Sequence, residues 1–419
     1  MAYLTSRAQF GIKFGLGTIR ALTRALGQPQ RAYPSILVAG TNGKGSVVAH
    51  VDAALRAAGL CVGRYTSPHL VSVHERIVVD GRPIPPDQLR TAVSRVRDAA
   101  SRLVAAGAIA AHPTYFEVVT AAALHHFRRR QVDVAVLEVG MGGRLDATRV
   151  CEPIVSAIVS IDYDHQAFLG HTLAAIAREK AGVLRRGRTT VLGEMTPEAR
   201  RAIARRAREM GARLVDAAAG SRIAVDRRKG ATVRTPAGAY RLGTGLDSAH
   251  QRHNALVAIR VLEQARRAVP VEPSAIAHGL CETRWPGRLQ WLPGDPPLLL
   301  DGAHNPAGAR ALAAYLSERR PLVLLFGIMS DKDIETVAGT LFPLARAIVL
   351  TRTRDARAAT PSEIRRRAGA AAANARQRRR PHEALALARQ LARPGEPVVV
   401  AGSLFLVGEA LRITGTPPT

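Results

Sequence analysis

The seven residues Gly40-Thr41-Asn42-Gly43-Lys44-Gly45-Ser46 sit between a short apolar run, Ser35 to Val38, and a helical pattern, Gly45 to Ala58, that ends at Gly59. A glycine-rich turn in that position can aim several backbone N–H groups at one anion, and the partial positive charge of the helix start adds to the cradle. Lys44 supplies a point charge for phosphate, and the Ser46 hydroxyl can reach a magnesium ion bound to the same phosphates. Gly45 stands between the lysine and the hydroxyl, a departure from the commoner loop in which the two are adjacent. The loop predicts an α/β fold whose P-loop-type, mostly parallel sheet presents a nucleotide beyond the carboxyl ends of its strands.

Apolar runs alternate with helical patterns along most of the chain, as a parallel sheet with crossover helices requires. Val132 to Val139 and Ile154 to Ile161 are further strands; the first is apolar except at Asp133 and Glu138, which predicts burial on both faces. His171 to Ala181 is a helix closed by Gly182, Val191 and Leu192 begin a strand, Leu214 to Leu246 is rich in β and turn signals, and Asn254 to Arg267 is helical. Trp285 to Pro297 holds four prolines and two glycines, the composition of a connector. It is expected to join an ATP-binding domain, 1–287, to a second, smaller Rossmann-like α/β domain, 288–419. There Leu298 to Leu300, Leu322 to Phe326, Ile348 to Thr351 and Pro397 to Ala401 are strands, Pro306 to Arg319 is a helix, and the Ala/Arg-rich Arg365 to Arg380 is compatible with one.

A formal charge of +27 raises nucleic acid as a partner. The basic residues instead scatter over helix surfaces, as in Arg128 to Arg130, Arg205 to Arg208 and Arg376 to Arg380, without interleaved aromatics, and no nucleic acid is expected. Only Lys13, Lys44, Lys180, Lys229 and Lys332 are lysine, so 55 of the 60 basic residues are arginine. In such a chain a surviving lysine is a candidate for work that arginine cannot do, such as a point-charge phosphate contact or amine chemistry. Cys61, Cys151 and Cys281 are far apart and without CxxC spacing, which suggests neither a disulfide framework nor a zinc site. No apolar stretch approaches the roughly 18 residues of a membrane span, and the N-terminus lacks a signal-peptide core, so a cytoplasmic chain is expected.

Further segments follow in one order. They are Tyr65-Thr66-Ser67-Pro68-His69-Leu70, Glu75-Arg76-Ile77, Thr114-Tyr115-Phe116-Glu117, and the run E-V-G-M-G-G-R-L-D-A-T from Glu138 to Thr148. Asp164-His165, Glu179-Lys180-Ala181-Gly182, His250-Gln251 with Asn254-Ala255, and Trp285-Pro286-Gly287-Arg288-Leu289 come next. Asp301-Gly302-Ala303-His304-Asn305-Pro306, Asp331-Lys332-Asp333 and Gly402-Ser403-Leu404 complete the series. With the glycine loop, these resemble the folylpolyglutamate and dihydrofolate synthases, relatives of the muramyl ligases, over about residues 10 to 410.

The resemblance implies an ATP-dependent ligase that adds L-glutamate to dihydropteroate or to (tetrahydro)folate through an acyl phosphate. It implies ATP contacts from Gly43, Lys44, Gly45, Ser46, Asn254, Arg288 and Asp301, drawn from both domains so that the ATP lies between them. Pteroate or folate would meet Ile12, Lys13, Phe14, Thr114, Tyr115, Phe116, Glu117, Leu145, Asp146 and Ala147. Two magnesium ions would be held among Ser46, Ser67, Glu138, His165 and Lys180, the last as a carbamate, and Lys44, Lys180 and His304 are the catalytic candidates. A monomer is expected, because one chain carries the whole set.

Plainer roles stand beside these. Lys180 near a helix end could complement the helix dipole, His165 could be a core histidine, and Asp301 could brace a turn or cap a helix before Pro306. Glu138 at the end of an apolar strand is harder to explain by packing. Arg149, Gln166 and Gln290 depart from the family pattern and leave substrate preference open. The rivals are a muramyl-type ligase, disfavoured by the lack of a nucleotide-sugar domain ahead of Gly40, and a nucleic-acid-binding P-loop ATPase suggested by charge alone.

Overall fold

The apolar run Ser35–Ala39 (β1) is buried at all five positions and lies inside an eight-stranded sheet. The computed structural model of the protein describes residues 2–7, 15–226, 230–242, 248–319 and 321–417. The other strands of this sheet are Val62–Tyr65 (β2), Ile77–Val79 (β3), Arg82–Pro83 (β4), Val134–Glu138 (β5), Val155–Ile158 (β6), Thr189–Leu192 (β7) and Arg213–Asp216 (β8). Their spatial order is β4-β3-β2-β5-β1-β6-β7-β8, parallel from β2 through β8, with β3 and β4 added antiparallel at one edge. Successive side chains of a strand point to opposite faces, so Leu37, Ala39 and Leu137 enter one core and Ile36, Val38 and Val136 the other. That two-sided burial is what the unbroken apolar runs require.

Val38 pairs with Glu138, Ala39 with Ile158, and Tyr65 with Leu137, so β2, β5, β1 and β6 end at the same level. The chain leaving each of them emerges on one edge, and the connections diverge to either side of β1. An open parallel sheet forms its ligand crevice there.

The residues divide into two units, 1–67 with 73–283 and 68–72 with 284–419. In the first, Arg222–Asp226 (β9), Gly230–Thr235 (β10) and Gly238–Leu242 (β11) form an antiparallel sheet. Val233, Tyr240 and Leu242 join the core shared with the helices Lys44–Ala57 and Ala249–Ala265. In the second, Gln290–Leu292 (β12), Leu298–Leu300 (β13), Val323–Phe326 (β14), Ala347–Leu350 (β15), Arg376–Gln377 (β16) and Val398–Ala401 (β17) form a sheet ordered β12-β13-β17-β14-β15-β16. It is parallel except for β12. The fold is therefore α/β with two largely parallel sheets.

Several expectations need correction. The division falls after Thr283 rather than Gly287, and residues 68–72 belong to the second unit. The proline-rich segment is more than a connector, since Gln290–Leu292 within it hydrogen-bonds to Leu298–Leu300 across a turn. The helix expected from Asn254 starts at Ala249, where the Ser248 hydroxyl accepts from Gln251 N at 3.4 Å. The Arg365 to Arg380 stretch is α-helical only to Ala368, continues as a short 3-10 helix at Gly369–Ala372, and supplies β16 near its end. Helix Pro86–Ala105 lies where no element was assigned from sequence, and helices Tyr115–Arg129 and Pro197–Met210 were marked only at the arginines expected on helix surfaces, Arg130 falling just past the end of the first. Among the described residues no helix is long and apolar enough to cross a membrane.

Candidate functional site

β1 delivers the chain to Gly40, at φ +152°, where a Cβ would press within 3.2 Å of Val159 and the Ser160 nitrogen. The loop is then laced to the segment that follows β6. Thr41 N donates to Ser160 O at 2.9 Å, and the Thr41 hydroxyl donates to Asp162 O and accepts from Asp162 N, both at 3.1 Å. Asn42 N donates to the Ser160 hydroxyl, which donates in turn to Asn42 O, each at 3.0 Å. Gly43 takes the left-handed conformation, φ +81°, that starts the helix Lys44–Ala57. A Cβ there would collide with Asn254 Oδ1. Only glycine satisfies both the backbone angle and the close approach, and Asn254 is thereby set against the loop. Lys44 folds its ammonium back onto Gly40 O and Thr41 O, 3.1 Å from each. Lys44, Gly45 and Ser46 open the helix, so their N–H groups have no intrahelical acceptor.

Lys180 ends the helix Leu173–Lys180 and is 4 % exposed, with its ammonium donating to Gly40 O at 2.8 Å. A solvated dipole-complementing cation would not be buried there. Burial first, and then the nearby Lys44 cation, lower its pKa to about 7, against the opposing pull of Asp164 and Asp146. Both surviving lysines of this region thus converge on one carbonyl, and one of them is poised to be a neutral amine.

Glu138 is the last residue of β5 and is buried, and its Oε2 accepts from Ser67 N at 3.1 Å just beyond the end of β2. His165 follows β6 in a left-handed conformation, φ 50°, with its backbone N–H on Asp164 Oδ1 at 2.9 Å; its ring is partly exposed, not packed in a core. Four neighbouring strands therefore each carry a candidate at the carboxyl end: Ser67 after β2, Glu138 on β5, the glycine loop after β1 and His165 after β6. Among the described residues no group of three His, Cys, Asp or Glu side chains is arranged to hold a metal. The expected set instead mixes two hydroxyls, one carboxylate, one imidazole and a modified lysine. Its oxygen-rich chemistry suits magnesium, which keeps several waters and needs few protein ligands.

The expected pterin residues divide by role. Thr114 and Glu117 form a reciprocal cap on the helix Tyr115–Arg129: Glu117 N donates to the threonine hydroxyl at 3.3 Å and Thr114 N to Glu117 Oε2 at 2.9 Å. Asp146 is buried and accepts from Met141 N, Thr148 N and the Thr148 hydroxyl at 3.1, 2.9 and 2.6 Å. Burial raises its carboxyl pKa while those bonds oppose the rise. These three side chains spend their polar groups on local backbone. Phe116 packs under Gly140, where a Cβ would press on its ring, and the Arg76 guanidinium lies 5.3 Å from the centre of the Tyr115 ring. Leu145 is half-buried and Ala147 buried. Ile12, Lys13 and Phe14 lie outside the described residues.

Residues missed from sequence hold this loop in place. Gly143 packs on Lys180 O and Gly182 on the Arg144 backbone, while Arg144 N donates to Glu179 O at 2.9 Å. The Arg185 guanidinium spans the two segments, donating to Gly182 O, Val183 O and Leu184 O on one side and to Arg149 O and Cys151 O on the other, all between 3.0 and 3.2 Å. No spacing rule would have marked Arg185 among 55 arginines. Ser160 and Asp162 were findable as polar residues just past an apolar strand.

In the second unit, Asp301 follows β13 and is 7 % exposed. Its two oxygens accept from Leu289 N and Ala303 N, each at 2.9 Å, so it braces the turn, whereas Asn305 caps the helix Pro306–Leu316 through Gly308 N at 2.8 Å. Gly302 leaves room for the Arg288 guanidinium, which a Cβ would strike. His304 Nδ1 lies 2.8 Å from Gly302 O, and only its protonated form can donate to a carbonyl, so Nε2 carries the lone pair of the neutral ring.

Residues 38–262 match the Mur ligase middle domain, and residues 287–404 the Mur ligase, glutamate ligase domain. A probable bifunctional folylpolyglutamate synthase/dihydropteroate synthase of Halobacterium salinarum is 40% identical over 350 residues, 81% of this chain; the match spans only 42% of that longer protein. The folylpolyglutamate synthase of Lacticaseibacillus casei is 37% identical over 339 residues, 77% of each chain. Among solved structures, Mycobacterium tuberculosis folylpolyglutamate synthase complexed with ADP superposes with a TM-score of 0.92 at 32% identity, covering 100% of this chain and 98% of that one. E. coli FolC in complex with DHPP and ADP gives 0.89 at 30% identity, covering 99% and 97%. A bifunctional folylpolyglutamate synthase/dihydrofolate synthase with Mn, AMPPNP and L-glutamate bound gives 0.87 at 31%, covering 99% and 97%.

Proposed function

The chain belongs to the Mur ligase family, in its folylpolyglutamate synthase and dihydrofolate synthase group, and from that premise we propose that it is an ATP-dependent ligase adding L-glutamate to dihydropteroate, to folates, or to both. The observation that carries this reading is the convergence of Lys44 and Lys180 on Gly40 O inside a glycine loop braced by Asn254. A phosphate cradle with a second, buried, near-neutral lysine exceeds what nucleotide binding alone requires.

ATP would lie on the loop, with the N–H groups of Gly43, Lys44, Gly45 and Ser46 on its phosphates, and with Asn254, Arg288 and Asp301 as further contacts. The γ-phosphoryl group passes to the substrate carboxylate to give an acyl phosphate; the glutamate amine attacks its carbonyl carbon and phosphate leaves. Lys44 and Arg288 offset charge on the transferring phosphoryl group, where most catalysis of phosphoryl transfer resides. His304, with Nδ1 turned to Gly302 O, would present Nε2 as the base for the proton shed by the attacking ammonium. Ser46, Ser67, Glu138, His165 and carbamylated Lys180 would hold two magnesium ions, which supply charge neutralisation at the phosphates. A neutral Lys180 amine adds to CO2, forming an N–C bond and releasing a proton, so burial equips this residue to become the anionic ligand. Tyr115, Phe116, Leu145 and Ala147 would offer the pterin an apolar, aromatic wall, with Thr114, Glu117 and Asp146 shaping it; the expected contacts Ile12, Lys13 and Phe14 lie outside the described residues. A cytoplasmic monomer without a nucleic-acid partner belongs to this reading; three free thiols support the reducing setting.

The test is phosphate release from ATP with magnesium and L-glutamate, run with dihydropteroate, with tetrahydrofolate and with neither, the products weighed by mass spectrometry. Addition of one glutamyl unit to either pterin is expected, and the substrate that accepts it separates synthase from polyglutamylase. A folded, ATP-binding preparation that extends neither would sink the folate assignment and return the muramyl-type reading.

A further inference from the structure

The segment 144–149 has two sides. Asp146 is turned inward to its backbone donors, whereas Arg144 and Arg149 line a separate cleft of about 570 Å³ within the first unit. Leu169, Ala181 and Leu184 are buried and give this cleft an apolar floor, and Phe168, 46 % exposed, stands at its edge. Four guanidinium groups surround it, from Arg144, Arg149, Arg178 and Arg206, against two carboxylates. Both carboxylates are already matched: Glu179 with Arg144 at 2.9 Å and Glu209 with Arg206 at 3.0 Å. Among the described residues, Arg149 and Arg178 have no carboxylate within ion-pair distance. Arg149 is half-buried, and burial first, with Arg20 and Arg206 adding to it, lowers its pKa despite Glu152. Two guanidiniums with no carboxylate in ion-pair distance, over an apolar floor, suit a ligand that is both multiply anionic and partly apolar. A small inorganic anion would leave the floor and Phe168 uncovered.

We propose that this cleft binds the oligocarboxylate tail of a glutamylated folate-class ligand, its carboxylates paired with Arg149 and Arg178 and its apolar portion lying against Phe168 and the Leu169 and Leu184 floor. The proposal rests on the glutamate-ligase reading and deepens it, since it gives the product of successive additions a place of its own beside the segment that carries Leu145 to Ala147. Guanidinium forks meet carboxylates in paired hydrogen bonds, so affinity grows with the number of glutamyl units.

The probes are pteroyl-γ-triglutamate, pteroylmonoglutamate and inorganic triphosphate, each titrated calorimetrically into the intact protein and into Arg149→Ala/Arg178→Ala. The double variant is expected to bind the triglutamate about tenfold or more weakly, while its monoglutamate affinity and its turnover of a monoglutamate substrate change less than about twofold. Arg178→Ala alone, at an exposed helix position, is expected to give an intermediate loss with the fold intact. Unchanged triglutamate affinity in both variants, or triphosphate binding as tightly as triglutamate and being lost in parallel, would overturn the proposal. Because binding is read without turnover, a chain that ligates no glutamate would fail the functional reading separately.

Discussion

A single methyl group at position 43 tests the nucleotide loop. Gly43 combines a left-handed backbone with contact to Asn254, so Gly43→Ala should cost about 1–3 kcal/mol of stability and displace Asn254; urea unfolding and AMPPNP titration should both register it. Lys180 makes a different prediction. Its pKa is lowered to about 7 from 10.5, so between those values the unfolded chain holds more protons than the folded one. Stability therefore rises with pH through that window, and the penalty of the buried cation is complete below about 7. Lys180→Met should flatten the slope by up to about 1.4 kcal/mol per pH unit, measured by unfolding in CO2-free buffer; equal slopes in the two proteins would remove the buried ammonium from the account. At this scale the sequence was informative because chemistry restricts residue choice: a lysine kept among arginines and a glutamate closing an apolar strand were both visible. Asp301, Thr114 and Glu117 were not separable from ligand groups, since an aspartate that binds ATP and one that braces a turn look alike until Leu289 N and Ala303 N are found on its oxygens.

Elements were legible where a strand was fully buried, as with β1 and β5, and less so where a helix start depended on a cap. Ser248 with Gln251 three residues on is such a cap, and it moves the helix start to Ala249, five positions before Asn254. The helix Ala249–Ala265, which carries Asn254, is tied to the small antiparallel sheet through Glu263. That carboxylate pairs with Arg260 at 2.6 Å, accepts from the Tyr240 hydroxyl at 3.0 Å, and accepts from the Thr235 hydroxyl as well. Its side chain is 3% exposed, so Glu263→Ala strands a largely buried arginine. A loss of about 3–5 kcal/mol is expected from chemical denaturation, with Glu263→Gln losing less because it keeps acceptors for both hydroxyls.

For the whole molecule, a charge of +27 would face ATP, folate and glutamate, the anionic substrates of the proposed reaction. The KM for ATP should rise several-fold as sodium chloride is raised from about 0.05 to 0.3 M, with kcat little changed, because screening weakens attraction at a distance more than contacts once made. A KM indifferent to salt would mean that the scattered arginines do not steer ligands. The order of motifs revealed two α/β sheets, yet it could not reveal the unit boundary, because Pro68–Ser72 joins residues more than two hundred positions later, a pairing no local pattern encodes.

That five-residue excursion bears on how the chain can be cut. The Leu70 carbonyl lies so close to Gly408 that any side chain there would strike it, and Arg412 donates to Val71 O at 2.6 Å. No single cleavage point yields two complete halves: a fragment from 284 onward lacks a piece of its own wall, and the other fragment carries that piece without its socket. The glutamate ligase portion is therefore not a cassette that recombination could lift out intact, and during synthesis its first piece leaves the ribosome long before the rest.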